Sequence, residues 1–215
     1  MHVVLILLTF VTGLVDAVTY LGFGHVFAAN MTGNVIVLGF ALVGTSEISA
    51  TASVVSLGSF MIGGLISAHV SHALQRTRHR WILITLLVET VLLGLATALS
   101  AVGQGFVRDH ATVGLLAVAM GMRTVTVRRF GISDISTTVL TSMLGGLAMD
   151  VYLRDSPLGP AGLRLAAVLA MLAGAAAGAV LLGGGVALVL GLAAGLVLIL
   201  TVSYVGVVLR AGVDD

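Results

Sequence analysis

The chain has 215 residues, of which 59% are hydrophobic and 9% charged, with a formal net charge of +1 and no cysteine; its mean hydropathy is +1.18. A soluble domain carries about a quarter charged residues, so this composition cannot clothe a water-facing surface and points to a lipid bilayer. Disulfides, thiolate metal sites and cysteine nucleophiles are excluded; the net charge says nothing about nucleic acid, no basic stripe exists, and no nucleic-acid partner is expected.

The apolar segments show no two-residue alternation, so helices and not a barrel are expected. Val3 to Phe23 is long enough to span, since a spanning helix needs roughly 20 residues. No small-residue cleavage pattern follows it and it carries Asp16 and Tyr20, so it reads as a membrane helix and not a removed leader. A polar, glycine-containing break follows, Gly24-His-Val-Phe-Ala-Ala-Asn-Met-Thr-Gly-Asn34. The apolar run after it, Val35 to Thr45, is only half a span. Thr51 to Leu74 spans, with Gly58, Gly63, Gly64 and Ser67 along it. A basic loop, Gln75 to Arg80, leads to the span Trp81 to Val102, with Trp81 at the interfacial end where indole is favoured.

Ala111 to Val127 is the next span and carries Arg123. A polar stretch, Arg128 to Asp134, precedes a second half-length run, Thr137 to Met149, which opens with hydroxyls. Both prolines, Pro157 and Pro160, lie in the loop Asp150 to Arg164. Leu165 to Leu182 and Val186 to Leu209 complete the series. The order is span, short helix, span, span, given twice. The whole chain, 1–215, reads as one membrane domain made of two repeats, about 3–102 and about 111–209, offset by about 109 residues. Thr32 then falls on Thr141 and Gly33 on Ser142. Gly63-xxx-Ser67 falls near Gly174-xxx-Gly178, both patterns of close helix packing.

The arginines, which are all ten of the basic residues, discriminate between topologies, because basic residues stay cytoplasmic. With eight crossings they divide almost evenly between the two sides. If the two short helices dip in and return, then Arg76, Arg78, Arg80, Arg128, Arg129, Arg154, Arg164 and Arg210 share one side with both termini. Only Arg108 is opposite. The expected fold is therefore an all-α membrane protein with six transmembrane helices, two short re-entrant half-helices and an inverted 3+3 repeat. Eight short spans are the alternative. The expected location is the inner (plasma) membrane, multi-pass, with N- and C-termini cytoplasmic.

Broken helices in inverted repeats are how transporters build sites near the midplane. Asn30, Thr32, Gly33 and Asn34 offer amides, a hydroxyl and helix N-terminal donors to a solute; their other role is to cap the short helix. Thr138, Thr141 and Ser142 form the matching wall. Asp16 is a carboxylate inside a span, which is costly and faces a cavity or a partner. Arg123, at the corresponding depth of the second repeat, is the expected partner, as a gating or coupling pair or as a static one. Glu89 is a second candidate proton site, and His25 could titrate at the mouth of the break. His69 and His72 lack a third ligand, so no metal is expected. No nucleophile elbow, phosphate loop or zinc-protease motif appears, so neither an enzyme nor a cofactor is expected.

Gly13-Leu-Val-Asp-Ala17, Gly24-His-Val-Phe and Asn30-Met-Thr-Gly-Asn34 resemble the YoaK-like family of bacterial membrane proteins, a domain of unknown function (DUF1275). The run Gly121-Met-Arg-Thr-Val-Thr-Val-Arg-Arg-Phe and the run Asp134-Ile-Ser-Thr-Thr-Val-Leu-Thr141 resemble it as well, so the likeness covers essentially the whole chain. Such proteins tend to carry Asn where this chain has Thr124. The resemblance implies a small polytopic inner-membrane protein and supplies no substrate. The residues themselves lead to a transporter or channel-like protein for a small solute or ion held between the two half-helices. Its alternative is a non-transporting structural or lipid-binding subunit, and in either case the protein is a candidate homo-oligomer.

Overall fold

The computed structural model describes residues 2–44, 49–74, 78–103, 105–129, 144–146 and 159–210. Its helices are α1 (His2–Gly22), α2 (Met31–Leu42), α3 (Ala50–Ala73), α4 (Arg78–Ala101), α5 (Phe106–Arg129), α6 (Gly159–Leu181) and α7 (Val186–Arg210), with a 3-10 turn at Leu182–Gly184 joining the last two. All but α2 are long and apolar enough to cross a membrane; α2 has 12 residues. The second half-helix expected from the sequence lies outside the described residues, apart from a helical fragment at 144–146.

Three helix starts differ from the hydropathy boundaries; α4 begins at Arg78, inside the stretch read as the basic loop. The sequence places 103–110 in a loop, yet α5 begins at Phe106. Asp109 explains this: its carboxylate accepts from the Gly105 N–H, and its own N–H donates to the Gly105 carbonyl. An acid in the first turn also complements the helix dipole. α6 starts at Gly159, ahead of the expected Leu165, because Pro160 is pre-shaped for a first turn in which its missing N–H costs nothing.

Contacts between helices set their directions. Along α1 and α6 the touching residues ascend together, Phe10 with Gly174 and Leu14 with Gly178, so these helices are parallel. The same holds for α3 and α5, where Gly63 meets Val118 and Ser67 meets Thr126. α4 runs against α7 (His79 to Tyr204, Thr97 to Gly191) and against α5 (Thr85 to Thr126, Glu89 to Arg123). The short turn after α6 makes α6 and α7 antiparallel. Hence α1, α4 and α6 point one way, and α3, α5 and α7 the other. α1 ends where α3 begins, with Gly24 against Ser49, so the excursion through α2 adds no crossing. Antiparallel α4 and α7 likewise leave room for no net crossing between α5 and α6. The six-span arrangement holds and the eight-span alternative does not.

Two glycine seams hold the bundle. A methyl group added at Gly13 would strike the Met171 carbonyl, and one at Gly174 the Phe10 carbonyl. In the other seam, one at Gly121 would strike the Phe60 carbonyl and one at Gly63 the Val118 carbonyl. In a bilayer, where lipid tails are as apolar as leucine, such backbone contact gives helices a reason to associate. The spatial order is α6, α1, α7, α4, α5, α3. α1 and α5 are the most enclosed spans, α4 and α7 intermediate, and α3 and α6 the most exposed. Val11, Val15, Leu93, Leu116, Met120, Leu190 and Ala193 fill the core, while Leu7, Met61, Leu65, Leu87, Leu172 and Ile199 cover the outside, which faces lipid. Thr9, Thr12, Thr85, Thr124, Thr126 and Thr201 return their hydroxyls to carbonyls four residues back, satisfying donors that hydrocarbon cannot.

Candidate functional site

The polar break after α1 folds back into the bundle. The chain reverses at Gly24 and His25, with φ of 79° and 62°. A left-handed conformation is cheap for glycine and costs a histidine about 1–2 kcal/mol. The strand-like descent that follows is fastened at its bottom by Asp16. Its Oδ1 accepts the N–H groups of Ala28 at 3.0 Å and Ala29 at 2.8 Å. Asn34, fully buried, fastens the middle: its Oδ1 accepts the Phe27 N–H at 2.8 Å, and its Nδ2 donates to the Phe27 carbonyl at 2.7 Å and to Ser56 Oγ at 3.0 Å. Ser56 in turn donates to the Phe27 carbonyl at 2.6 Å. Asn30 caps α2 by accepting the Gly33 N–H at 3.2 Å. Gly33 is required because a Cβ there would lie 2.8 Å from the Phe27 ring. Tyr20 stacks on Phe27 with centroids 4.8 Å apart and meets His25 edge-on at 5.1 Å. The Asn-Met-Thr-Gly-Asn motif is thus a device for holding a re-entrant loop.

Arg123 does not pair with Asp16. Its Nη2 is bound to Glu89 Oε1 of α4, and both side chains are buried. Its Nη1 donates to the Leu8 carbonyl at 2.8 Å and to Thr12 Oγ1 at 2.9 Å. Depth in the sequence suggested the wrong carboxylate: Arg123 faces the Leu8–Thr12 turn of α1, one turn short of Asp16, and on its other side α4 supplies Glu89. Glu89 Oε2, Arg123 Nε and Asp16 Oδ2 are buried without hydrogen bonds.

Glu89 and Arg123 form one wall of a cavity of about 40 Å³. Leu5, Leu8, Ile82, Thr85, Leu86, Thr126 and Val127 also line it, and Val4 and Tyr204 stand at its rim. Tyr204 Oη and His79 Nδ1 share a 2.9 Å hydrogen bond at that end. By volume it could hold a few waters, at about 10–15 Å³ each, but the surface it presents is almost wholly apolar. Polar side chains stand at successive levels of the bundle: Tyr204 and His79 at the end bearing the N-terminus, then, past the apolar cavity, Glu89 and Arg123, Thr12 and Asp16, and last the re-entrant loop from the opposite end.

Of the residues singled out in the sequence, Asp16, Asn30, Gly33 and Asn34 come together in the loop corner, with Thr32 and His25 exposed beside it. None of these lines the cavity. Arg123 and Glu89 meet each other a turn away. Thr138, Thr141 and Ser142 lie outside the described residues. Sequence reasoning missed Ser56, one small residue among many on α3, and Thr12, Tyr204 and His79. For the last two the six-span topology itself is the signal, since it brings the start of α4 and the end of α7 to one side.

The family model described as "Protein of unknown function (DUF1275)" matches residues 4–203. The chain belongs to the DUF1275 family. A relative, the UPF0700 transmembrane protein YoaK of Bacillus subtilis (strain 168), is 33% identical over 153 residues, 70% of this chain and 67% of its own length. No solved structure matches. For this DUF1275 chain, then, membership, a multi-pass transmembrane character and an all-helical fold stand together, and the column of buried polar groups is what its geometry adds.

Proposed function

We propose that the protein moves a small solute across the bilayer, with the Glu89–Arg123 cavity as the centre of the path. The carrying observation is a buried ion pair deep in the bundle that retains unbonded polar atoms and lines a cavity. Ionisable groups at that depth are expensive and mark pathways or relays in membrane proteins. The loop fastened by Asp16 and Asn34 closes the column from the other end, and Thr138, Thr141 and Ser142 remain the proposed second wall. The site binds and releases; it carries out no bond-making chemistry.

The two halves are read as an inverted repeat. Gly13 corresponds to Gly121, and Gly63 to Gly174, and the carbonyls they meet exchange in the same sense. Three spans per half make the halves opposite in orientation. The arginine distribution supports a reading in which both termini are cytoplasmic in an inner membrane, with the cavity nearer the cytoplasmic side. The protein is read as a candidate homo-oligomer.

The test is flux in proteoliposomes across a panel of small organic acids and inorganic ions, comparing the native chain with Glu89→Gln and Asn34→Ala. One solute should move with the native chain and at least about tenfold more slowly with Glu89→Gln, a loss of some 1.4 kcal/mol in the rate-limiting step. Flux equal to that of protein-free vesicles for every solute would leave the non-transporting, structural or lipid-binding reading.

A further inference from the structure

We infer that Glu89 is a proton-exchange site and that Arg123 is a two-position cation, held by Glu89 when that carboxyl is ionised and passing to Asp16 when it is protonated. The inference deepens the transport reading, on which it rests for its purpose: it names the ion that works the column.

Three observations carry it. First, Glu89 is 1% exposed, its Oε2 has no hydrogen bond, and its side chain borders the cavity together with Thr85, Thr126 and Arg123. Second, among the described residues the buried charged side chains are two carboxylates and one guanidinium. With all three ionised, one negative charge is left over in a place where unpaired charge is strongly unfavourable. A proton on Glu89 removes the excess. Third, the second berth exists. Arg123 Nη1 is already on Thr12 Oγ1. Asp16 follows Thr12 by four residues, so the two side chains are neighbours on one helix face, about 5–6 Å apart at Cβ. Asp16 Oδ2 and Arg123 Nε are both unbonded. The amides of Ala28 and Ala29 hold Asp16 Oδ1 and leave the other oxygen available.

The step balances simply. One proton from bulk water joins Glu89 Oε2, the carboxyl becomes neutral, and the guanidinium keeps its own proton while exchanging one carboxylate for another. Because Asp16 carries the re-entrant loop, the move of Arg123 is felt at the far end of the column. Among the described residues, the surrounding helices carry further polar groups. α5 presents Arg123 and the Thr126 hydroxyl; α7 presents Tyr204 and Thr201; α4 itself contributes His79 at the rim. α3 presents Ser67, bonded to Thr126, while its His69 and His72 are exposed.

The experiment is infrared difference spectroscopy of the full chain in liposomes as pH is lowered, which needs no known solute. The native protein should develop a protonated-carboxyl band that is missing in Glu89→Gln and moved in frequency in Glu89→Asp. In Asp16→Asn, which removes the second berth, the band at the same acidic pH should be at least about twofold weaker. If Glu89→Gln fails to fold, the displaced band of Glu89→Asp still assigns the proton. No pH-dependent carboxyl band, or one unchanged by either Glu89 substitution, overturns the inference; a band indifferent to Asp16→Asn overturns the second berth. A Glu89 band without flux of any solute sinks the transport reading and leaves the proton site. Flux without the band does the reverse.

Discussion

Asp16 and Glu89 are both carboxylates inside spans, yet their surroundings differ in kind. Asp16 binds two backbone amides of a loop that doubles back on it, beside Asn34, which is buried and bonded through both polar atoms. Glu89 binds one guanidinium, keeps an oxygen unbonded, and borders empty space. The first centre spends its polarity on shape: it lets an irregular backbone sit at membrane depth, which is tolerated only where protein satisfies its donors. The second holds a charged side chain of another helix beside a cavity. Each carboxylate leaves one oxygen unbonded, so what separates the two is the partner of the other oxygen, loop amides for Asp16 and a guanidinium for Glu89.

The largest expected effect removes the cation that Glu89 holds. Arg123→Ala leaves Glu89 buried without its partner and should destabilise the protein by about 3–5 kcal/mol, read as loss of thermal stability in detergent through the single tryptophan, Trp81. The double variant Arg123→Met with Glu89→Met should recover most of it, because paired charges exchanged for apolar groups are often neutral. If the single variant is as stable as the native chain, the pair is not a buried unit. Next comes Asn34→Ala, which strips the Phe27 N–H of its acceptor and should cost about 2–3 kcal/mol, the penalty of a buried unsatisfied donor plus lost bonds. Its stability loss should exceed any specific loss of flux once folded protein is compared, since Asn34 belongs to the scaffold.

How much of this was legible follows from what each signal measures. Hydropathy reports depth along a span, so the six long helices and the half-length α2 could be read directly, and arginine counting pointed to the return of α2. The facing of a residue around its helix is another matter. In a soluble protein the polar side of a helix reveals the apolar side, but here lipid-facing and core-facing residues are both apolar, and helices such as α3 and α4 have almost no amphipathic contrast. Arg123 and Asp16 could be placed near one level and not on one face, and so the carboxylate that Arg123 holds was misjudged. The Asn30–Asn34 motif was visible as a polar cluster, but Ser56 and the Phe27 backbone, which absorb Asn34, have no signature in the chain. The glycine seams were half legible: Gly63 and Gly174 stood out as close-packing patterns, while their partner carbonyls emerge only from the packing.

The seams support both centres, and they give a third test. Gly121→Ala drives a methyl group into the Phe60 carbonyl of α3, an overpacking that backbone cannot relieve by changing rotamer, and should cost about 1–3 kcal/mol. Gly94→Ala, on the same bundle with nothing within 4 Å of its would-be Cβ, should be neutral or gain up to about 1 kcal/mol of helix propensity. Equal melting temperatures for the two variants would show that the close approach of α3 and α5 is not what holds them.

The smallest expected effect is the sharpest for function. Thr32 sits on the first turn of α2, exposed, with no described residue bonding its hydroxyl. Thr32→Ala should change stability by no more than about 0.5 kcal/mol, as for surface positions generally. That makes it a clean probe of where a solute binds, because a stability change cannot masquerade as a binding defect. If the path is centred on Glu89 and Arg123, flux through Thr32→Ala equals that of the native chain while Glu89→Gln slows it. A tenfold loss of flux in Thr32→Ala at unchanged melting temperature would return the site to the tip of α2 and reverse the assignment of scaffold and site.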